Sequence, residues 1–577
     1  MGAPPPAEAP PIPQARQTPP GPDQRRRPLH NGKPSPGKYA NADPADRYLK
    51  KDVDYDDLLR RVRIVDFMPD LSSLTPSERQ VLSELLKIKP HIDAIYRRQM
   101  SGPYGDILIE AMRKSDNPRS KAALKLLELD SGPYDPETHE ALFNNVPPYP
   151  KNGFFYPEGL TKGEFEKYVK QHPEQADLLL FSKSIIRRNP DKTLSGESYS
   201  DAYKDELRVI ADMLWRTADK TEDADLRKSL KSEAAALLRD EYYTEPDTIN
   251  PRIRLVLGAE FRYDDPLLNR KRSYMFGLYT KDEKGTEVLD KLKALIPEIG
   301  LNLPLESRYN PYLNYGHGGK APGLQFKENL VPVNLIGAGG EQLTRLYVGL
   351  NLGENILLVH NALAEGSAGV KDIVQRELFG EPYDVEADYK LVLGHEMGHG
   401  ILPPTKGFSV PGEALEQELG DLSAAVEEEK ASLVGLLGLE AMAKSEGLAA
   451  NGEEKLSEDY WAVAKTFVGA MTVNYLHKDP HGPYGKYVLV VYNLLKEKGG
   501  VFYDGSIHKL QIDKGKFPKA IREIAGLFLK IQAEGNRALA EELLNNHNQP
   551  QPEIIDALQA AKNLPTRTVF NPILGDH

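Results

Sequence analysis

Cysteine is absent from all 577 residues. No disulfide can brace this chain and no thiolate can hold a metal, so any bound metal must be held by histidine nitrogens and carboxylate oxygens. A positive charge excess is missing too: 73 Lys and Arg stand against 85 Asp and Glu, a formal net charge of −12. Nucleic acid and anionic membrane surfaces both select for a positive field, so neither is an expected partner. No apolar run approaches the roughly 18–20 residues that cross a bilayer, which leaves no expected membrane span.

What is present suits a globular protein with a sizeable core: 40% hydrophobic and 27% charged residues. The length calls for more than one domain or one large two-lobed unit. Residues 1–50, opening MGAPPPAEAPPIPQARQTPPGP, mix proline with polar residues and hold no apolar segment that could serve as a signal peptide. They are expected to be a disordered tail. On that reading the protein is cytoplasmic; the alternative is a secreted or periplasmic protein whose leader has been removed.

Beyond the tail the pattern turns globular. LTPSERQVLSELLKIKPHIDAIYRRQM opens with a Thr-Pro-Ser-Glu helix start and spaces its apolar residues three and four apart. SYSDAYKDELRVIADMLWRTADKTEDADLRKSLKSEAAALLRD predicts two long helices meeting near Lys220–Asp225. Arg252–Leu257 and Ser273–Tyr279 alternate as strands do, and a helix is predicted over Gly285–Leu295. ENLVPVNLIGAGGEQLTRLYVGLNLGENILLVH reads as β-rich runs, its IGAGGE segment a turn between strands; with no following lysine, IGAGGE is not a phosphate loop. From Asp388 onward the reading is helical. The expected fold is therefore α+β and predominantly helical, in two lobes. A mixed lobe with helices and a β-core spans 51–340, a helix-rich lobe spans 341–546, and 547–577 forms a C-terminal tail that packs back or stays extended.

The chemistry concentrates in LGHEMGHGILPP, Leu393–Pro404. On a helix His395 and His399 lie one turn apart on one face, so both rings can address one metal ion. Glu396 sits one residue along, placed to take a proton from an attacking water without itself ligating, the logic of H-E-x-x-H. Chance occurrence on a surface helix is the bland reading. The apolar surroundings, YKLVLGHEMGHGIL, argue against it, because two histidines and a glutamate buried without partners would cost several kcal/mol. Gly394, Gly398 and Gly400 each disfavour helix by ~1 kcal/mol relative to alanine, and their expected use is close approach of a neighbouring helix or of substrate backbone.

A third donor is expected downstream in GEALEQELGDLSAAVEEEKASLVGLLGLEAMAK, read as an amphipathic helix carrying Glu413, Glu416, Glu418, Asp421 and Glu427 to Glu429. Its apolar stripe runs through Leu415, Leu419, Leu422, Val426 and Leu433. Glu429 falls inside that stripe and Glu418 at its edge, so helical phase favours Glu429, with Glu428 about 100° away.

HEMGH followed by EEEKASLVGL is similar to the dipeptidyl peptidase III family of zinc peptidases, whose mark is a histidine-glutamate motif and a later E-E-x-x-A-E helix. The resemblance implies two lobes separated by a wide cleft, with one Zn2+ in the helix-rich lobe held by His395, His399 and Glu428, which leaves Glu428 and Glu429 as rival registers. It implies Glu396 as the general base. Two positions depart from the family. The histidines here are four apart where most members have five, a spacing of ~140° that needs a local helix distortion. Ser432 replaces an acid that would support a ligand histidine, so that histidine's partner is unassigned.

Other segments extend the resemblance. AEFRYDDP looks like a segment whose tyrosine bonds the substrate carbonyl, which maps to Tyr263. PHGPYGKYVLVVYNLLKEKG resembles the one carrying a substrate-side histidine, which maps to His481; Lys486 is one position out of register and His477 lies nearby. YVGLNLGEN looks like a stretch whose asparagines hold the peptide, which maps to Asn351 and, displaced by one, Asn355. The implied activity is hydrolysis of short peptides with release of N-terminal dipeptides. The alternatives are another zinc hydrolase, aminopeptidase or endopeptidase, and a peptide-binding homologue with little turnover.

Overall fold

The two alternating stretches on either side of residue 264 pair with each other, as Ile253–Phe261 (β1) and Ser273–Lys281 (β2). In this computed structural model the described residues are 43–572 without 68, 137, 242–251, 262–263, 315–328, 342–348, 352–354, 362–368, 402–417, 448–455, 478–484, 563 and 565–566. Three further strands, Asn329–Gly340 (β3), Gly349–Asn351 (β4) and Asn355–Val359 (β5), complete a five-stranded sheet in the order β1-β2-β3-β5-β4. Only the β3–β5 pairing is parallel. Alternation along β2 sends Tyr274, Phe276 and Leu278 to one core and Met275 and Tyr279 to another, as a period of two demands.

IGAGGE is not the expected turn. Through Gly340 it belongs to β3, and its glycines admit a helix instead. A side chain on Gly339 would meet Lys89 Cγ at 2.7 Å and Asp93 Oδ1 at 2.9 Å, both on the helix Lys89–Ser101. The Gly340 amide, at φ +60°, donates to that same Asp93 carboxylate at 2.7 Å. LTPSERQ does start a helix, with Thr75 and Glu78 in a reciprocal capping box, but the run divides into Pro76–Leu86 and Lys89–Ser101 where Pro90 begins the second helix. The two long helices are Lys204–Lys220 and Ala224–Leu237.

Most of the later chain is helical, and the chain as a whole is a predominantly helical α+β fold. The largest core among the described residues gathers Glu283–Leu301, Val370–Phe379, the motif helix Val385–Gly400, the acidic helix Ser423–Glu446, Glu458–His477, Val488–Glu497 and Phe517–Glu534. A small hairpin, Val501–Asp504 with Lys509–Ile512, interrupts the helices and is anchored on this core by Val501 and Leu510. No helix among the described residues is long and apolar enough to cross a membrane.

Past residue 547 the described residues include a helix and a strand. Helix Pro552–Ala561 sinks Ile554, Ala557 and Ala561 into the helical core. The strand Arg567–Pro572 then pairs in parallel with Val62–Phe67, in register from Val62–Arg567 to Phe67–Pro572.

Candidate metal centre

The motif helix starts where Asp384 caps it, accepting from the Ala387 amide at 2.9 Å, with Glu386 and Asp388 in the first turn where the helix dipole favours acids. His395 and His399 occupy its last two turns. Its glycines are used against the acidic helix, one of the two expected purposes. A Cβ on Gly398 would lie 2.1 Å from the Ala431 carbonyl oxygen, and one on Gly435 would lie 2.5 Å from Gly394 backbone atoms. The helices touch backbone to backbone, and this brings a carboxylate from one helix to the histidines of the other.

That carboxylate is Glu428. Its Oε2 lies 3.2 Å from His395 Nε2 and 3.6 Å from His399 Nε2, and the two Nε2 atoms are 3.2 Å apart. A tetrahedral ion with donors at ~2.1 Å separates them by roughly 3.4 Å, so the three atoms stand as such a set would. Glu428 Oε2 is buried and accepts no well-formed hydrogen bond. No other cluster of three or more His, Asp or Glu among the described residues is arranged to share an ion.

The remaining ring atoms explain the orientation. Ser432 Oγ, 2.9 Å from His395 Nδ1, commits its own hydrogen to the Glu428 carbonyl at 3.1 Å. With His395 Nε2 offered to a metal, the ring proton lies on Nδ1, so the ring donates and the serine oxygen accepts. Ser432 thus serves as the missing partner of His395. His399 Nδ1 donates to Glu427 Oε1 at 2.8 Å. With both Nδ1 atoms protonated, two Nε2 lone pairs and a carboxylate oxygen converge on one point, an arrangement that repels itself unless a cation lies at its centre.

The titration pattern carries the same message. Burial works against a charged ring at His399, yet Glu427 and Glu428 push it up to about 9. Burial likewise resists ionisation of Glu428, which His395 and His399 pull down to about 2. The pocket thus favours positive charge at its centre, and a divalent ion supplies it while leaving both rings neutral. Glu429 behaves differently: burial, aided by the Glu428 charge, pushes its carboxyl up to about 8, and it packs into the core at 4% exposure. Helical phase pointed to it because it is buried, whereas the histidines face Glu428.

The other candidates separate. Glu418 is exposed, and Asp421 is exposed and bound to Arg537 at 3.0 Å and to Lys486 at 3.4 Å. Glu396 is half-buried on the motif helix. Asn351 lies on edge strand β4 and Asn355 on its neighbour β5, opposite Asn329. Tyr263, His481, Glu413 and Glu416 lie outside the described residues.

Two groups went unrecognised in the sequence. Lys430 is fully buried beside Glu427, and Gln532, on helix Phe517–Glu534, donates its amide to Glu427 Oε2. A lysine set directly after three glutamates and before an apolar run was a signal for the first; nothing local marks the second. Farther along the motif helix, His360 follows β5 with Nδ1 at 2.8 Å from Asp282 and Nε2 at 3.2 Å from Glu386, while Tyr389 stacks on its ring at 3.9 Å. This cluster moors the first turns of the motif helix to the sheet.

Fold and site together define a helix-rich α+β protein with a His-His-Glu group suited to a divalent metal. The fold is that of dipeptidyl peptidase III. The chain matches the structure of that protein from Caldithrix abyssi with a TM-score of 0.77 and 24% identity, over 89% of this chain and 98% of the other. It matches the dipeptidyl-peptidase III structure from Corallococcus sp. strain EGB with a TM-score of 0.65 and 22% identity, over 90% and 96%. Among curated proteins it is 25% identical over 453 residues to Nudix hydrolase 3 of Arabidopsis thaliana, an alignment covering 69% of this chain. The chain spans about half the length of that relative, 54%. No family model matches.

Proposed function

We propose that this chain is a zinc-dependent peptidase that cleaves short peptides and releases N-terminal dipeptides. One observation carries the reading: Glu428 Oε2, buried and without a hydrogen bond, shares a point with the Nε2 atoms of His395 and His399, in a fold common to dipeptidyl peptidase III structures. Zinc bound there supplies a Lewis acid for the peptide carbonyl and acidifies water.

The chain's own residues do the rest. His395, His399 and Glu428 bind the ion, with Ser432 and Glu427 fixing which nitrogen each ring offers. Glu396 takes the proton from the water that attacks the carbonyl carbon and delivers it to the amine released as the C–N bond breaks. Tyr263 donates its hydroxyl to the carbonyl oxygen as negative charge develops there. His481 assists on the substrate side. Asn351, on the edge strand, and Asn355, on the strand beside it, hold an extended peptide through its main chain.

The test uses the full chain loaded with zinc, a free tetrapeptide and its N-acetylated form, with products read by mass spectrometry. Dipeptide from the free substrate and none from the capped one is the expected result. Single amino acids, or cuts in the capped peptide, would replace the dipeptide-releasing reading with another peptidase activity, and binding without any cleavage would replace it with a peptide-binding role.

A further inference from the structure

Lys430 stands beside the candidate metal ligands and has no part in the proposed reaction. Its side chain is fully buried, and its ammonium lies 2.9 Å from Glu427 Oε1 and donates to the Gly398 carbonyl at 3.0 Å. The Ile401 carbonyl lies farther off, at 3.5 Å. A buried ammonium costs several kcal/mol unless paired and hydrogen-bonded, so the position is a poor choice for packing alone. Glu427 Oε1 is shared: it accepts from Lys430 on one side and from His399 Nδ1, at 2.8 Å, on the other. Its second oxygen accepts from Gln532. Glu427 is thus clamped from three helices, its own included, and Lys430 brings a permanent ammonium to the clamp. His395 differs, since its support is the neutral hydroxyl of Ser432.

Resting on the reading of this site as a zinc centre, we propose that Lys430 is a positioning residue that acts on His399 through Glu427. The lysine fixes the carboxylate, the carboxylate fixes the ring, and the ring's Nε2 is held on the metal. The bond to Gly398 keeps the ammonium in place at the end of the motif helix. Partners that orient a ligand histidine alter metal affinity by roughly 10–100-fold when removed.

The test is zinc affinity, measured on full-length protein by competition with a chromogenic chelator, with circular dichroism establishing that each variant is folded. Lys430→Met and Glu427→Gln should each weaken zinc binding by roughly 10–100-fold. Because one residue acts through the other, the double variant should bind zinc as Glu427→Gln alone does. Lys430→Met at wild-type affinity would overturn the proposal, and so would a further tenfold loss in the double variant. The double variant leaves no uncompensated buried charge, so its comparison with Glu427→Gln decides the matter even where Lys430→Met fails to fold. Wild-type protein that binds no zinc would instead sink the metallopeptidase reading itself.

Discussion

Ser432 Oγ accepts from His395 Nδ1 while donating to the backbone carbonyl of Glu428, the residue whose side chain faces that same histidine. One hydroxyl therefore aligns a ligand ring from the helix that also supplies the ligand carboxylate. It is a weaker acceptor than the acid implied at this position, and it adds no charge to a pocket already crowded with carboxylates.

Ser432→Ala should leave the helix intact, since a serine bonding back to the i−4 carbonyl contributes little to helix stability. It should free the His395 ring to turn. Zinc affinity is expected to fall by about tenfold with little change in thermal midpoint, as read by chelator competition and by thermal unfolding of the metal-free protein. Unchanged affinity would show that His395 needs no partner.

Glu396→Gln should keep one zinc per chain and lose peptide hydrolysis by about 10²–10⁴-fold, the usual share of a general base. His399→Ala should lose metal and activity together. Metal analysis paired with initial rates separates the two, and full activity in Glu396→Gln would remove its assigned role.

Gly398→Ala places a methyl 2.1 Å from the Ala431 carbonyl oxygen, backbone that cannot step aside. Forcing the helices apart should cost about 1–3 kcal/mol or more and pull Glu428 away from the histidines. Gly394→Ala is the milder comparison, because its nearest neighbour is the Leu439 side chain at 3.1 Å. Urea unfolding should rank Gly398→Ala well below Gly394→Ala; the reverse order would contradict the packing described.

His360 gives a dependence on pH. Burial disfavours its charged form, but Asp282 and Glu386, one at each ring nitrogen, outweigh that and raise its pKa. A ring whose pKa is higher folded than unfolded binds more protons in the native state. Its contribution is complete below the ordinary value of ~6.5 and fades as pH climbs through the raised one. The gap in unfolding free energy between wild type and His360→Gln should therefore be larger at pH 6 than at pH 9. An equal gap at both values would mean that the ring is held uncharged.

The strands around residue 264 showed through their period of two, the paired long helices through a repeat with a solvent boundary, and the motif helix through its two spaced histidines. The acidic helix lacks that boundary. Buried residues run around it from Ala425 to Ala443, so Glu429 looked like part of a functional stripe while being packed in the core. Resemblance, not phase, singled out Glu428. IGAGGE misled for a related reason: glycine signals close approach as readily as a turn, and only the helix above β3 distinguishes the two. Gln532 reaches Glu427 across 105 positions of chain, a separation at which no local pattern operates.

The pairing of Val62–Phe67 with Arg567–Pro572 sets an order of assembly. During synthesis the early segment leaves the ribosome with its ladder partner still untranslated, and some five hundred residues must follow before the two can meet. Until then its open edge is available to strands of other chains, the hazard that unpaired edges present. Nascent chains halted before codon 567 should accordingly be the ones that chaperones retain.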